Sequence, residues 1–174
     1  MKKTIILFSL FVALLGNTAL KAQTAFEVPK NFKLETDADF AKYEKDIIAA
    51  AKWLEETDLD KEADKRAEVN FFVLAWVSGS PLVSIELTSA ITDLCEDNNP
   101  LLGIYLAAYS SYVLEHKNEK GKFAPTKAAV KSLIKVYSKG IAIKKNKAMK
   151  ALIKMDDKGE IDKYIIETME VAKD

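Results

Sequence analysis

Along "LLGIYLAAYSSYVLEH", Tyr105, Tyr109, Tyr112 and His116 recur at steps of three and four. At 100° per residue they fall within about 60° of helical arc. Phenol rings and an imidazole on one narrow stripe suit the holding of a peptide or a sugar, because their bodies pack while their polar tips bond. Leu102, Leu106 and Val113 lie beside the stripe, so it borders a core-facing surface. Tyrosine at helical spacing serves equally as packing at a core's edge. Both readings stay open at this stage.

A second constellation is "KKNKAMKALIK", in which Lys144, Lys145, Lys147 and Lys150 build a basic helical surface. It belongs to a wider division of charge. Residues 27–99 carry 17 acidic and 8 basic residues, whereas residues 117–158 carry 13 lysines and 3 acids. Such asymmetry marks an interaction surface when the charge is not consumed internally. The partners it suits are an envelope protein, an anionic polysaccharide, a lipid headgroup, or the acidic half of another copy in a homo-oligomer. Nucleic acid is excluded, since the basic half is all lysine and arginine is the usual bidentate reader of bases. The plainer alternative is that the two halves face each other within one fold.

Catalytic sets are incomplete. In "SGSP", Ser78 and Ser80 flank Gly79, but a nucleophile elbow needs G-x-S-x-G between a strand and a helix. Cys95 and His116 are the only cysteine and histidine. Cys95 shares a face with Ile91 and Leu94, where a thiol is a buried hydrophobe rather than a nucleophile. One histidine and one cysteine fall short of the usual zinc set, and "DDKGE" and "DLDKEAD" lack the spacing of a calcium loop. The chain therefore predicts no metal, no cofactor and no catalytic residue. The alternative is a carboxylate-based envelope hydrolase using two of Glu68, Glu86, Asp93 and Glu115, the acids nearest apolar helix faces, because paired carboxylates suffice for glycoside chemistry.

The elements that position these residues are helical. From Asp37 apolar residues recur at helical spacing. Phe40, Tyr43, Ile47, Ala50 and Leu54 predict a helix over 37–57, opened by a Thr36–Asp39 capping box. A second helix, over 60–78, is apolar all round in its later half ("VNFFVLAWV") and so belongs at the centre. Gly79 as C-cap, Ser80 as N-cap and Pro81 at the first helical position predict a third helix over 81–97. Asn99 and Pro100 repeat that grammar for a fourth helix ending near Asn118. Val130, Leu133, Ile134, Tyr137 and Ile141 stripe a fifth. A sixth runs from Asn146 to "DDKGE", with Gly159 at its C-cap, and a seventh carries Ile161, Tyr164, Ile165 and Met169. The sum is an all-α domain over 37–174, with about seven helices in antiparallel hairpins forming a closed bundle or a short helical-repeat-like stack. Residues 23–36 read as an extended segment whose Phe26, Val28, Phe32 and Leu34 lie across the helices.

The chain of 174 residues begins "MKKTIILFSLFVALLGNTALKAQ". Two lysines, a short apolar run and a small-residue exit make residues 1–22 a secretory signal peptide, cut near Ala22. The product is predicted to be periplasmic or secreted, with no transmembrane segment. Taken with "RAEVNFFVLAWVSGSP", "LLGIYLAAYSSYVLE" and "NKAMKALIKMDDKGEIDKYI", the chain resembles small, secreted, all-helical proteins of Bacteroidetes. That resemblance implies fold and location, and it brings no catalytic residue with it. The function read from the sequence is a non-catalytic binding or interaction module of the cell envelope, with self-assembly as a further alternative.

Overall fold

The computed structural model describes residues 25–173. The predicted signal peptide lies outside the described residues. Among them the chain forms eight helices and no strand: α1 (Asp37–Lys42), α2 (Glu44–Glu56), α3 (Ala63–Gly79), α4 (Ser89–Cys95), α5 (Pro100–Glu115), α6 (Phe123–Ser138), α7 (Lys147–Asp157) and α8 (Ile161–Glu167). No helix among the described residues is long and apolar enough to cross a membrane.

The first predicted helix is two. Its capping box forms as expected: Thr36 Oγ1 accepts from Asp39 N–H and the Asp39 carboxylate accepts from Thr36 N–H. The ladder then breaks at Tyr43, whose buried ring meets Phe72 edge-on at 6.0 Å. The extended segment crosses here, and Phe32 packs edge-on against Phe72 at 5.0 Å while Phe26 is buried beside it.

The central element is α5, not the later half of α3. From Pro100 to Leu114 α5 carries no charged residue, and it packs against α2, α3, α4 and α6. Contact between α2 and α6 as well closes the arrangement around one core, unlike a solenoid in which each unit meets only its neighbours. Helix α3 buries Val69, Phe72, Val73 and Trp76 but leaves Phe71 66% and Leu74 52% exposed. Its all-round apolar composition therefore exceeds what the core takes up.

The largest departure from expectation follows α3. Residues 81–88 are irregular, and the third helix begins eight residues later than the Ser80–Pro81 grammar predicts. Pro81 biases Ser80 away from helical backbone, and Ser80 Oγ accepts from Leu82 N–H in a local turn. Val83 and Ile85 then face inward while Ser84 and Glu86 face solvent, an extended period of two. Gly79 is not a left-handed C-cap either. It is the last residue of α3, and a Cβ there would stand 2.5 Å from Phe40 Cζ, so its role is to admit that ring. Gly159, by contrast, takes the expected positive φ of 72° after α7.

Two cations close the C-terminus of α2. Arg66, the chain's only arginine, is buried against the Trp53 ring and donates to the carbonyls of Leu54, Thr57 and Asp58. Burial lowers its pKa from the usual value. Lys139 Nζ reaches from the C-cap of α6 to the carbonyls of Glu55 and Glu56 and to Asp58 Oδ1. Carbonyls left over at a helix end are thereby satisfied, with positive charge at the negative end of the dipole.

Candidate functional site: a row of unpaired lysines and a tyrosine-lined cavity

The lysines of the basic half divide into two groups. Apart from Lys120, those on and beside α6 turn toward carboxylates. Lys117 pairs with Glu44, Lys122 with Glu86, Lys127 with Asp162, Lys131 with Asp156, Lys135 with Glu55 and Lys139 with Asp58. Four of these partners belong to the acidic half, so the two halves do face each other within one fold.

Lys144, Lys145, Lys147 and Lys150 are different. All four are exposed, and none has a carboxylate partner among the described residues. Helix α7 buries Met149 and Leu152, which turns Lys147, Lys150 and Lys154 outward at helical spacing. Lys154 extends the row by one turn and stands unpaired as well. Sequence reasoning quoted it without placing it in the site.

This row is held by two buried asparagines that the sequence reading passed over. Asn146 caps α7 by accepting from Met149 N–H at 2.8 Å, while its amide donates to the carbonyls of Asp93 and Glu96. Tyr137 Oη accepts from Asn146 N–H at 2.8 Å. Asn98 exchanges two bonds with the Lys144 backbone, at 2.8 and 3.1 Å. The loop before α7 is thereby pinned to the end of α4, and Lys144, Lys145 and Lys147 start from fixed backbone. The only sequence signal was a pair of asparagines beside helix starts, which by itself reads as two ordinary N-caps.

The aromatic stripe does not act as one unit. Tyr105 and Tyr109 are buried and line a cavity of about 360 Å³. Their partners are Thr126, hydrogen-bonded to the Tyr105 hydroxyl, and the Ser84 carbonyl, which accepts from Tyr109 Oη at 3.4 Å. Burial pushes the Tyr105 phenol up to about 12. Tyr112 and His116 stand outside that cavity and stack on each other, ring centroids 4.0 Å apart. Tyr112 donates to Glu119 at 2.8 Å, a bond that raises its pKa, and His116 Nδ1 lies 2.9 Å from the Tyr112 carbonyl. The stripe is therefore cavity wall at one end and surface stack at the other.

The remaining chemistry candidates are dispersed. Ser78 donates to the Leu74 carbonyl at 2.7 Å, a bond internal to α3. Cys95 is buried on α4, where burial pushes its thiol up to about 11 and keeps it protonated at neutral pH. His116 is exposed at the end of α5, so the structure does not bring these two residues together. Glu68, Glu86, Asp93 and Glu115 are all exposed, and of the four only Glu86 lines the cavity. No group of three or more metal-ligating side chains gathers among the described residues. Compared with protein-family models, with curated proteins and with solved structures, the chain matches none.

Proposed function

We propose that this protein is an exported, non-catalytic binding module of the cell envelope that holds a polyanionic partner on Lys144, Lys145, Lys147 and Lys150. One observation carries the reading: six lysines on and beside α6 are ion-paired within the fold, while this row is exposed without a carboxylate partner among the described residues and starts from a pinned backbone. A row left with uncompensated positive charge attracts an anionic surface at long range, and the attraction weakens as salt screens it. Lysine suits a diffuse array of headgroups or sugar acids, because its ammonium is a compact point charge without the planar fork that arginine offers. Export, read from the first 22 residues, puts such surfaces within reach.

Co-sedimentation with anionic lipid vesicles and with an anionic polysaccharide, run in parallel on residues 23–174, tests the reading. Binding to at least one of them is expected, falling steeply with added salt and lost when the four lysines become glutamate. A variant of Lys131 and Lys135 should bind as the parent does. Unchanged binding by the four-lysine variant ends the proposal.

A further inference from the structure

The cavity behind Tyr105 and Tyr109 is separate from the lysine row. Five parts of the chain build it: the extended 85–88 stretch, α4, α5, the start of α6 with the loop before it, and the residues after α8. Ile85, Ile91, Met169 and Val171 give it apolar walls beside the two phenol rings. Its volume lies within the usual range for small-molecule sites, about 300–1,000 Å³. Both tyrosine hydroxyls already have partners in Thr126 and Ser84, while Thr88 Oγ1 in the same wall is buried without one, so the interior suits a mainly apolar body.

Charge appears only among its exposed lining residues, where two acids face one base. Lys122 and Glu86 form a loose pair at 3.6 Å, with side chains 53% and 76% exposed, which is an exchangeable contact in water. Glu170 is the additional carboxylate. It stands at φ 56°, a left-handed conformation that a non-glycine residue rarely adopts and that a free tail would not require. On one side Met169 is buried in the core. On the other Lys173 is tied to Asp162 and lies over the Phe123 ring, so Glu170 is held at the cavity from both sides. The resulting site is an apolar pocket with a net negative edge.

We infer that this cavity binds small amphiphilic amines, with an apolar or aromatic body against Tyr105, Tyr109 and Met169 and an ammonium between Glu86 and Glu170. The ammonium displaces Lys122 from Glu86. An acid of the same body meets two carboxylates and is rejected.

Two probes with one body and opposite heads test this: 2-phenylethylamine and 3-phenylpropionate, titrated into the mature chain and followed by the NMR signals of Ile85, Ile91 and Met169. A small probe is expected to bind with a dissociation constant on the order of 1 mM. The amine should shift those signals saturably, and the acid should bind at least about tenfold more weakly, a difference of about 1.4 kcal/mol. Replacing both acids (Glu86→Gln with Glu170→Gln) should erase the preference. Lys122→Ala should tighten the amine, a gain that misfolding cannot imitate. Filling the cavity with Ile85→Trp, or independently with Thr88→Phe, should abolish binding while the melting temperature stays that of a folded protein. The inference is overturned if the amine produces no saturable shift at these residues, if the acid binds equally well, or if both filled variants bind as the parent does.

Discussion

Helices α6 and α7 are both lysine-rich, yet their charges do opposite work. On α6 and at its C-cap, Lys127, Lys131, Lys135 and Lys139 each meet a carboxylate, and Lys139 also closes the end of α2. On α7 and the loop before it, Lys144, Lys145, Lys147, Lys150 and Lys154 meet none among the described residues. The difference teaches that regional net charge is not surface charge. Much of the imbalance between the two halves is consumed by packing α6 against α2 and α8, and most of what is left over collects on and beside α7.

Charge reversal breaks the comparison most sharply. Changing Lys131, Lys135 and Lys139 together to glutamate removes three pairs and sets like charges beside Asp156, Glu55 and Asp58. Counting pairs and repulsions of a few tenths to 1 kcal/mol each, the loss of stability should reach about 3 kcal/mol. The same reversal at Lys144, Lys147 and Lys150 should cost less than about 1 kcal/mol, as surface changes usually do. Urea melts of both variants measure the contrast, and equal losses would erase it. Next in size is Asn146→Ala, which strips α7 of its cap and two carbonyls of their donor. A destabilisation of about 2–3 kcal/mol is expected in the same melts, with the α6 pairs intact.

Single α6 changes should be small and graded. Lys135→Ala loses one exposed pair, for less than about 0.5 kcal/mol, while Lys139→Ala loses two carbonyl contacts besides its pair, for about 1 kcal/mol. Raised salt should weaken the Lys135 contribution first, since that side chain is the more exposed of the two. The smallest effect is acid-dependent. Hydrogen bonds from Lys127 and Lys173 hold the Asp162 carboxyl below its usual 3.8. A depressed folded value means that the contribution is fully present above the unfolded pKa and is lost as pH falls through the folded one. Carboxyl NMR titration should place Asp162 below 3.8 and move it upward in Lys127→Ala. No such acid step is expected for the α7 row, which has no carboxylate partner to protonate.

Legibility in the sequence followed the range of the interactions. Periodicity placed the helical stripes of α2, α5, α6, α7 and α8, because burial on one face repeats every 3.6 residues whatever the partner. The Thr36 cap was readable because an N-cap bonds within its own first turn. The 81–88 stretch failed for the same reason in reverse. Its Ser-Pro start is valid local grammar, but Val83 and Ile85 had inward places to fill at a period of two. At the candidate site, the four lysines were legible as a basic surface, but only Lys147 and Lys150 lie on a helix while Lys144 and Lys145 stand in the loop before it; the pinning by Asn98 spans 46 residues to Lys144 and left no local trace.

By itself the sequence determined the all-helical class, the division of charge and a composition with one histidine and one cysteine. These follow from composition and from contacts within a turn or two. Only the tertiary structure decided which lysines are neutralised, that α5 rather than α3 is central, and that the tyrosine stripe splits between a cavity and the surface. Each of those depends on which distant segment arrives opposite a given side chain: Glu55 opposite Lys135, Ser84 opposite Tyr109, Glu119 opposite Tyr112. Local spacing shows which face of a helix a residue occupies, and the fold alone determines what meets that face.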